Sequence, residues 1–112
     1  MIGGMRFLMT MNGGGPPADE QLYADMGRFI DELTRAGVLL ATGGLDPNGT
    51  HMSATDGKVT LTDGPYAEAK ETIVSFALIE ARSREEALEL AKRFWEIVGT
   101  GEGDIRQVYG PE

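Results

Sequence analysis

Met5, Phe7, Met9 and Met11 alternate with Arg6, Leu8 and Thr10. A period of two predicts a strand over Met5–Met11 with one strongly apolar face. Asn12-Gly13-Gly14-Gly15-Pro16-Pro17 ends it as a loop. The period then lengthens. Leu22, Met26, Phe29, Ile30 and Leu33 fall at helical spacing and form one apolar stripe of a helix from about Asp19 to Ala36. Asp19 and Glu20 suit the positive N-terminal end of that helix, and Gly37 suits a left-handed cap at the other. Gly27, inside the helix, costs about 1 kcal/mol relative to alanine. Close approach of another backbone would explain it.

Val38–Thr42 reads as a second strand, ended by Gly43-Gly44. Met52–Thr55 and Lys58–Thr62 flank Asp56-Gly57, which predicts a β-hairpin, because glycine accepts the positive φ of a tight primed turn. Asp63-Gly64-Pro65 closes that arm. Thr72–Ala81 is the strongest strand and is apolar on both faces: Ile73, Ala77 and Ile79 point one way, Val74, Phe76 and Leu78 the other. Ser83 and Glu86 form a capping box that opens a helix to about Val98. Leu88, Ala91, Trp95 and Val98 share a face there, so Trp95 is expected in the core, and Glu89 and Arg93 are expected to pair one turn apart. Gly99–Gly103 is a loop and Ile105–Tyr109 the last strand.

Two helices separated by strands in this way predict an α+β fold: a ferredoxin-like βαββαβ core with the hairpin inserted between its second and third strands. Both helices would cover one sheet face. The other face still carries apolar side chains, and a second copy of the chain is its simplest cover, which predicts a homodimer.

The chain has 112 residues, 41% of them aliphatic or aromatic, enough for one domain with a real core. Residues 5–112 form that domain and Met1–Gly4 a short extension. No stretch approaches the roughly 18 apolar residues of a membrane span, and no basic region precedes an apolar run, so the expected location is cytoplasmic. Cysteine is absent, which excludes disulfides, thiolate nucleophiles and zinc–thiolate sites. The net charge is −8 and no Lys or Arg cluster stands out, which argues against nucleic acid or an anionic membrane as partner. Acids such as Asp25 and Asp31 lack metal-ligand spacing with a histidine, so no metal is expected. Gly13-Gly14-Gly15 lacks the spacing of a dinucleotide loop and a following Lys-Ser or Lys-Thr, so no cofactor is expected either. His51, the only histidine, stands at the start of the hairpin, where a surface role is the simpler one.

The densest chemistry lies in Asp63-Gly64-Pro65-Tyr66-Ala67-Glu68-Ala69-Lys70-Glu71. Three carboxylates and an ammonium in nine residues can make an acid/base pair if they converge. Like-charge repulsion raises one carboxylate pKa while Lys70 holds another ionised. On that reading Asp63, Glu68 and Lys70 point into a cleft as polar anchors and Tyr66 forms one wall. The same residues also fit a rigid turn with solvated ion pairs.

This segment resembles the YCII-related proteins, in particular the branch named for its Asp-Gly-Pro-Phe (DGPF) motif, with Tyr66 where that branch usually has Phe. The likeness takes in Met5-Arg6-Phe7-Leu8, Gly43-Gly44-Leu45, Asp56-Gly57-Lys58-Val59, Thr62–Tyr66 with Glu68 and Lys70-Glu71, and Glu86–Ala91. It implies a ferredoxin-like fold that dimerises through its sheets into an α/β barrel. Such barrels include enzymes, which implies a small-molecule-binding domain with its site in the cleft between sheet and helices of each subunit and with possible acid/base activity. YCII proper uses a His–Asp pair with the histidine near the start of the first helix. Here that helix begins Asp19-Glu20-Gln21-Leu22-Tyr23, without histidine, so that mechanism does not carry over. The branch is often encoded beside extracytoplasmic-function sigma factors, which implies as an alternative a non-catalytic regulatory partner of a sigma factor.

Overall fold

The structure, a computed structural model, describes residues 4–17, 19–64 and 72–110. In chain order it runs β1 (Met5–Asn12), α1 (Glu20–Arg35), β2 (Leu39–Gly44), β3 (Thr50–Thr55), β4 (Lys58–Asp63), β5 (Ile73–Ala81), α2 (Arg84–Val98) and β6 (Gly103–Val108). β2, β5, β1 and β6 lie side by side in that order, every neighbouring pair antiparallel. With α1 after β1 and α2 after β5, this is the ferredoxin-like βαββαβ arrangement. β3 and β4 form a separate two-stranded sheet inserted between its second and third strands.

Local chemistry sets the element ends. The Asp19 carboxylate accepts from the Leu22 amide at 2.8 Å and caps α1. At the far end Gly37, at φ +74°, donates to the Thr34 carbonyl, and Val38 donates to Leu33, the paired bonds of a Schellman cap. The Ser83 hydroxyl caps α2 by accepting from the Glu86 amide at 3.1 Å. The expected box does not close on Ser83, however. Glu86 reaches one residue further back, accepting from the Arg82 amide at 2.8 Å and from its guanidinium at 2.9 Å. Asp56 and Gly57 both have positive φ, 51° and 81°, the primed turn that Asp-Gly predicts, and the register runs from Thr55 opposite Lys58 to Thr50 opposite Asp63.

The core sits between the sheet and both helices. Phe7, Met9, Ile79 and Ala81 of the sheet form one cluster with Ala87 and Ala91 of α2, and Phe29 and Leu33 of α1 and Val98 of α2 are buried as well. The opposite sheet face is left to Leu8, Phe76 and Leu78, half-buried and laid together by the register of Leu8 opposite Leu78 and Thr10 opposite Phe76. Arg6 and Glu80 form an ion pair at its edge.

Several expectations change. Gly43-Gly44 does not end β2 but lies in it, opposite Phe76 and Ser75, and a side chain at Gly43 would begin 3.2 Å from the Phe76 ring. The last strand starts at Gly103, not Ile105, because β1 extends far enough for Met11 to pair with it. Trp95 flanks the core rather than filling it. Leu90 and Phe94 take the inner positions, and the Trp95 ring lies over Gly101 and Gly103. No backbone approaches Gly27, since a Cβ there would meet nothing within 4 Å. Finally, Arg93 does not pair with Glu89, whose partner is Lys92. Arg93 instead crosses to α1, donating to both carboxylate oxygens of Glu32 at 2.8 and 2.9 Å, with its guanidinium 4.9 Å from the Phe29 ring.

That crossing has a pH signature. The Arg93 hydrogen bonds hold the Glu32 carboxyl below its ordinary pKa of 4.5. A carboxylate depressed in the folded state adds stability that is present above its unfolded pKa and lost as pH falls through the folded one. Arg93→Met should therefore lower the melting temperature modestly at neutral pH, since both side chains are about half exposed. The gap to the parent should shrink as pH drops below that ordinary value. Thermal melts across the acid range check this, and a gap that stays constant would count against the pair as its cause.

Candidate functional site

α1 packs by only half its stripe. Phe29 and Leu33 are buried, whereas Leu22 and Met26, nearer its N-terminus, are half-buried and Ile30 is exposed. The space between that half of the helix and the sheet is a cleft of about 770 Å³. Its floor is Met11 of β1, Thr42, Gly43 and Gly44 of β2, and Val74 and Ser75 of β5. Its wall is Leu22, Tyr23, Met26, Gly27 and Ile30, and Phe94 and Val98 of α2 close the back. Met26, Ile30, Thr42 and Phe94 also line a void of about 50 Å³ that continues inward to Ile79. The volume lies within the range of about 300–1,000 Å³ usual for small-molecule sites.

The rim is the loop Asn12–Pro16. It is pinned at its start, with the Asn12 amide donating to Glu102 and the Gly13 amide to Thr72, both at 2.9 Å. The lining is mainly apolar, with polar groups from Asn12, Tyr23, Thr42 and Ser75 and no ionised side chain among the described residues. The Thr42 hydroxyl donates to the Phe76 carbonyl at 2.8 Å, which fixes its direction. A wall of this kind desolvates an apolar ligand and orients it through a few hydrogen bonds. A second groove, about 740 Å³, runs between α2 and β6 past Trp95, with Lys92, Glu96 and Asp104 on its sides.

Of the residues singled out from sequence, Asp63 ends β4 at the base of the hairpin. It is exposed, accepts from the Thr50 hydroxyl at 2.8 Å, and is not among the residues lining the cleft. Tyr66, Glu68 and Lys70 lie outside the described residues. The chain re-enters the described part at Thr72, whose carbonyl is the acceptor for Gly13 on the cleft rim. His51 is exposed on the hairpin, opposite Thr62. No group of three or more His, Asp or Glu among the described residues could hold a metal ion, and no described helix is long and apolar enough to cross a membrane. Sequence reasoning places a site between sheet and helices but not its lining, because helical period marks Leu22, Met26 and Ile30 as one apolar stripe without separating packed positions from open ones. The one signal in that stretch is Gly27, a costly residue in a helix.

Comparison with known proteins agrees with this fold. Over 78 residues the chain is 35% identical to an uncharacterised protein of Rhizobium meliloti (strain 1021), a match covering 66% of this chain and 61% of that protein. Among solved structures it is similar to 5-chloro-2-hydroxyhydroquinone dehydrochlorinase from Burkholderia phenoliruptrix AC1100, in complex with 2,5-dihydroxybenzoquinone. That likeness has a TM-score of 0.52 at 16% identity and covers 96% of each chain, so it speaks for the fold. The YCII-related domain matches residues 5–108, nearly the whole sheet-and-helix unit, and the chain belongs to the YCII-related family.

Proposed function

We propose that this protein binds a small molecule in the cleft between its sheet and α1, and that it does so as a homodimer. The cleft carries the first part: about 770 Å³, apolar walls, a few polar groups, and an inward extension toward the core. The dehydrochlorinase, a protein of similar fold, was solved with a small quinone bound, which supports the same reading. Binding rather than turnover is what the lining favours, because its described residues offer no carboxylate, imidazole or amine.

The second part rests on surface. A compact monomer of 12.1 kDa is expected to expose about 6,000 Å². This chain exposes 8178 Å², and its radius of gyration is 16.2 Å, where about 13 Å is usual for the length. Part of that excess belongs to the hairpin β3–β4, which stands apart from the main sheet, and a standard interface would take up roughly 800 Å² of it from each partner. Leu8, Phe76 and Leu78 supply an apolar centre for it, and pairing there would place two sheets face to face as an α/β barrel.

A thermal-shift screen of uncharged small molecules tests the binding reading. A ligand that binds only the folded state raises the melting temperature, by an amount that grows with concentration. At least one class should do so, and Leu22→Trp, which fills the cleft wall, should abolish that shift while the fold persists. A screen without a single stabilising compound would refute the reading.

A further inference from the structure

We propose that the cleft takes an uncharged, ring-containing apolar molecule and that Gly27 determines how bulky that molecule can be. The inference rests on the binding reading above and adds the ligand class and the residue that selects it.

Charge decides the first half. Neither an arginine nor a lysine lines the described wall, so an anion entering there would be desolvated without a partner. The chain as a whole carries −8, which repels anions before they arrive. No described carboxylate waits for a cation either. What remains is a neutral molecule, held by apolar contact and oriented by the hydroxyls of Tyr23 and Ser75. The cavity lies between two packed surfaces, the strands below and α1 above, which favours a flat body over a globular one.

Gly27 decides the second half. Other glycines of the chain have visible reasons. Gly37 and Gly57 sit at positive φ, and Gly103 lies against the backbone of β1. Gly27 has neither reason. It is helical, it is not among the positive-φ glycines, and an added Cβ would find open space. Glycine at mid-helix weakens the helix relative to alanine. Tyr23 and Ile30, one turn before and one turn after, line the same cleft. Gly27 itself lines the cleft at an exposed position, so a methyl group there would project from the helical wall of the cleft.

The experiment titrates 2-naphthol and its anionic counterpart 2-naphthoate into the full chain and into Gly27→Ala by calorimetry, with melts and sedimentation in parallel. The parent should bind 2-naphthol and bind 2-naphthoate at least tenfold more weakly. Gly27→Ala should melt about 4 °C or more higher, since alanine is the better helix former. It should also bind 2-naphthol at least fivefold more weakly, with an unchanged sedimentation mass. Stabilisation together with lost affinity is the signature of a residue kept small for a ligand. Equal affinity in parent and variant overturns the role of Gly27 and leaves the binding reading intact. Equal affinity for the anion overturns the ligand class. A changed mass in the variant assigns the space to a second copy and overturns the proposal. No binding of either compound to the parent, alongside a stabilising hit elsewhere in the screen, overturns the inference alone, and with no hit at all both readings fall.

Discussion

Leu78→Asp is expected to turn a dimer into a monomer without unfolding the chain. Leu78 lies near the middle of the open sheet face, on β5 between β2 and β1, with Leu8 opposite on one side and Ala41 on the other. Ile79, its neighbour, is 1% exposed and faces the helices, so Leu78 must face away from them. In the separated chain the new carboxylate can reach water, because the position is only half-buried. In a sheet-to-sheet dimer it would be buried without a partner, at several kcal/mol, and two-fold symmetry repeats the penalty in the second subunit. The dimer dissociation constant should rise by roughly a thousandfold or more. Sedimentation equilibrium at micromolar concentration measures it, with circular dichroism as the control for folding. A parent protein that sediments as a clean monomer, or a variant that still dimerises, would remove the open face as an interface.

The frame of this molecule was legible because it is written in local chemistry. Asp19, Gly37, Ser83 and Asp56-Gly57 act through their own backbone neighbours, and each sits where its type predicts. Alternation in Met5–Met11 and Thr72–Ala81 likewise reports a property of a single strand. What escaped were relations between elements. Arg93 could pair with Glu89 on its own helix, and only packing brings Glu32 of α1 to its guanidinium instead. Helical period marks Leu22, Met26 and Ile30 as apolar, but it cannot say whether the strands lie close enough to bury them. The cleft is the result of that distance. The hairpin was legible as a unit and its isolation was not. Met52, Val59 and Leu61 share one of its faces and are 70%, 66% and 63% exposed, since no strand of the main sheet pairs with it. Asp63 fits by sequence either a cleft anchor or a residue bonded within its own turn, and the structure gives it the hydroxyl of Thr50 across the hairpin as a partner.

Glycines show the same division most sharply, and they carry the second large effect. Gly103→Ala is expected to destabilise the protein by about 1–3 kcal/mol, as overpacking does where the obstacle cannot move aside. A Cβ at Gly103 would collide with the carbonyl oxygen of Thr10 and lie 3.0 Å from the Trp95 ring. The first of these is backbone of β1, a central strand held by β5 on its other side, so no rotamer change relieves the clash. The start of β6 must lift away, taking its pairing with Met11 and the floor under Trp95 with it. Trp95 is the only tryptophan, so its emission should shift toward that of a solvated indole in the folded variant, in step with a melting temperature lowered by several degrees. Gly44→Ala is the control. Its Cβ would sit 3.8 Å from the Val74 carbonyl, an ordinary contact, and its φ is not positive, so the change should be small. Sequence alone makes both residues β-breaking glycines beside a strand. The structure separates them by which one has another strand's backbone in the space a side chain would need. Equal melting temperatures for the two variants would mean that β6 does not run against Thr10 as described.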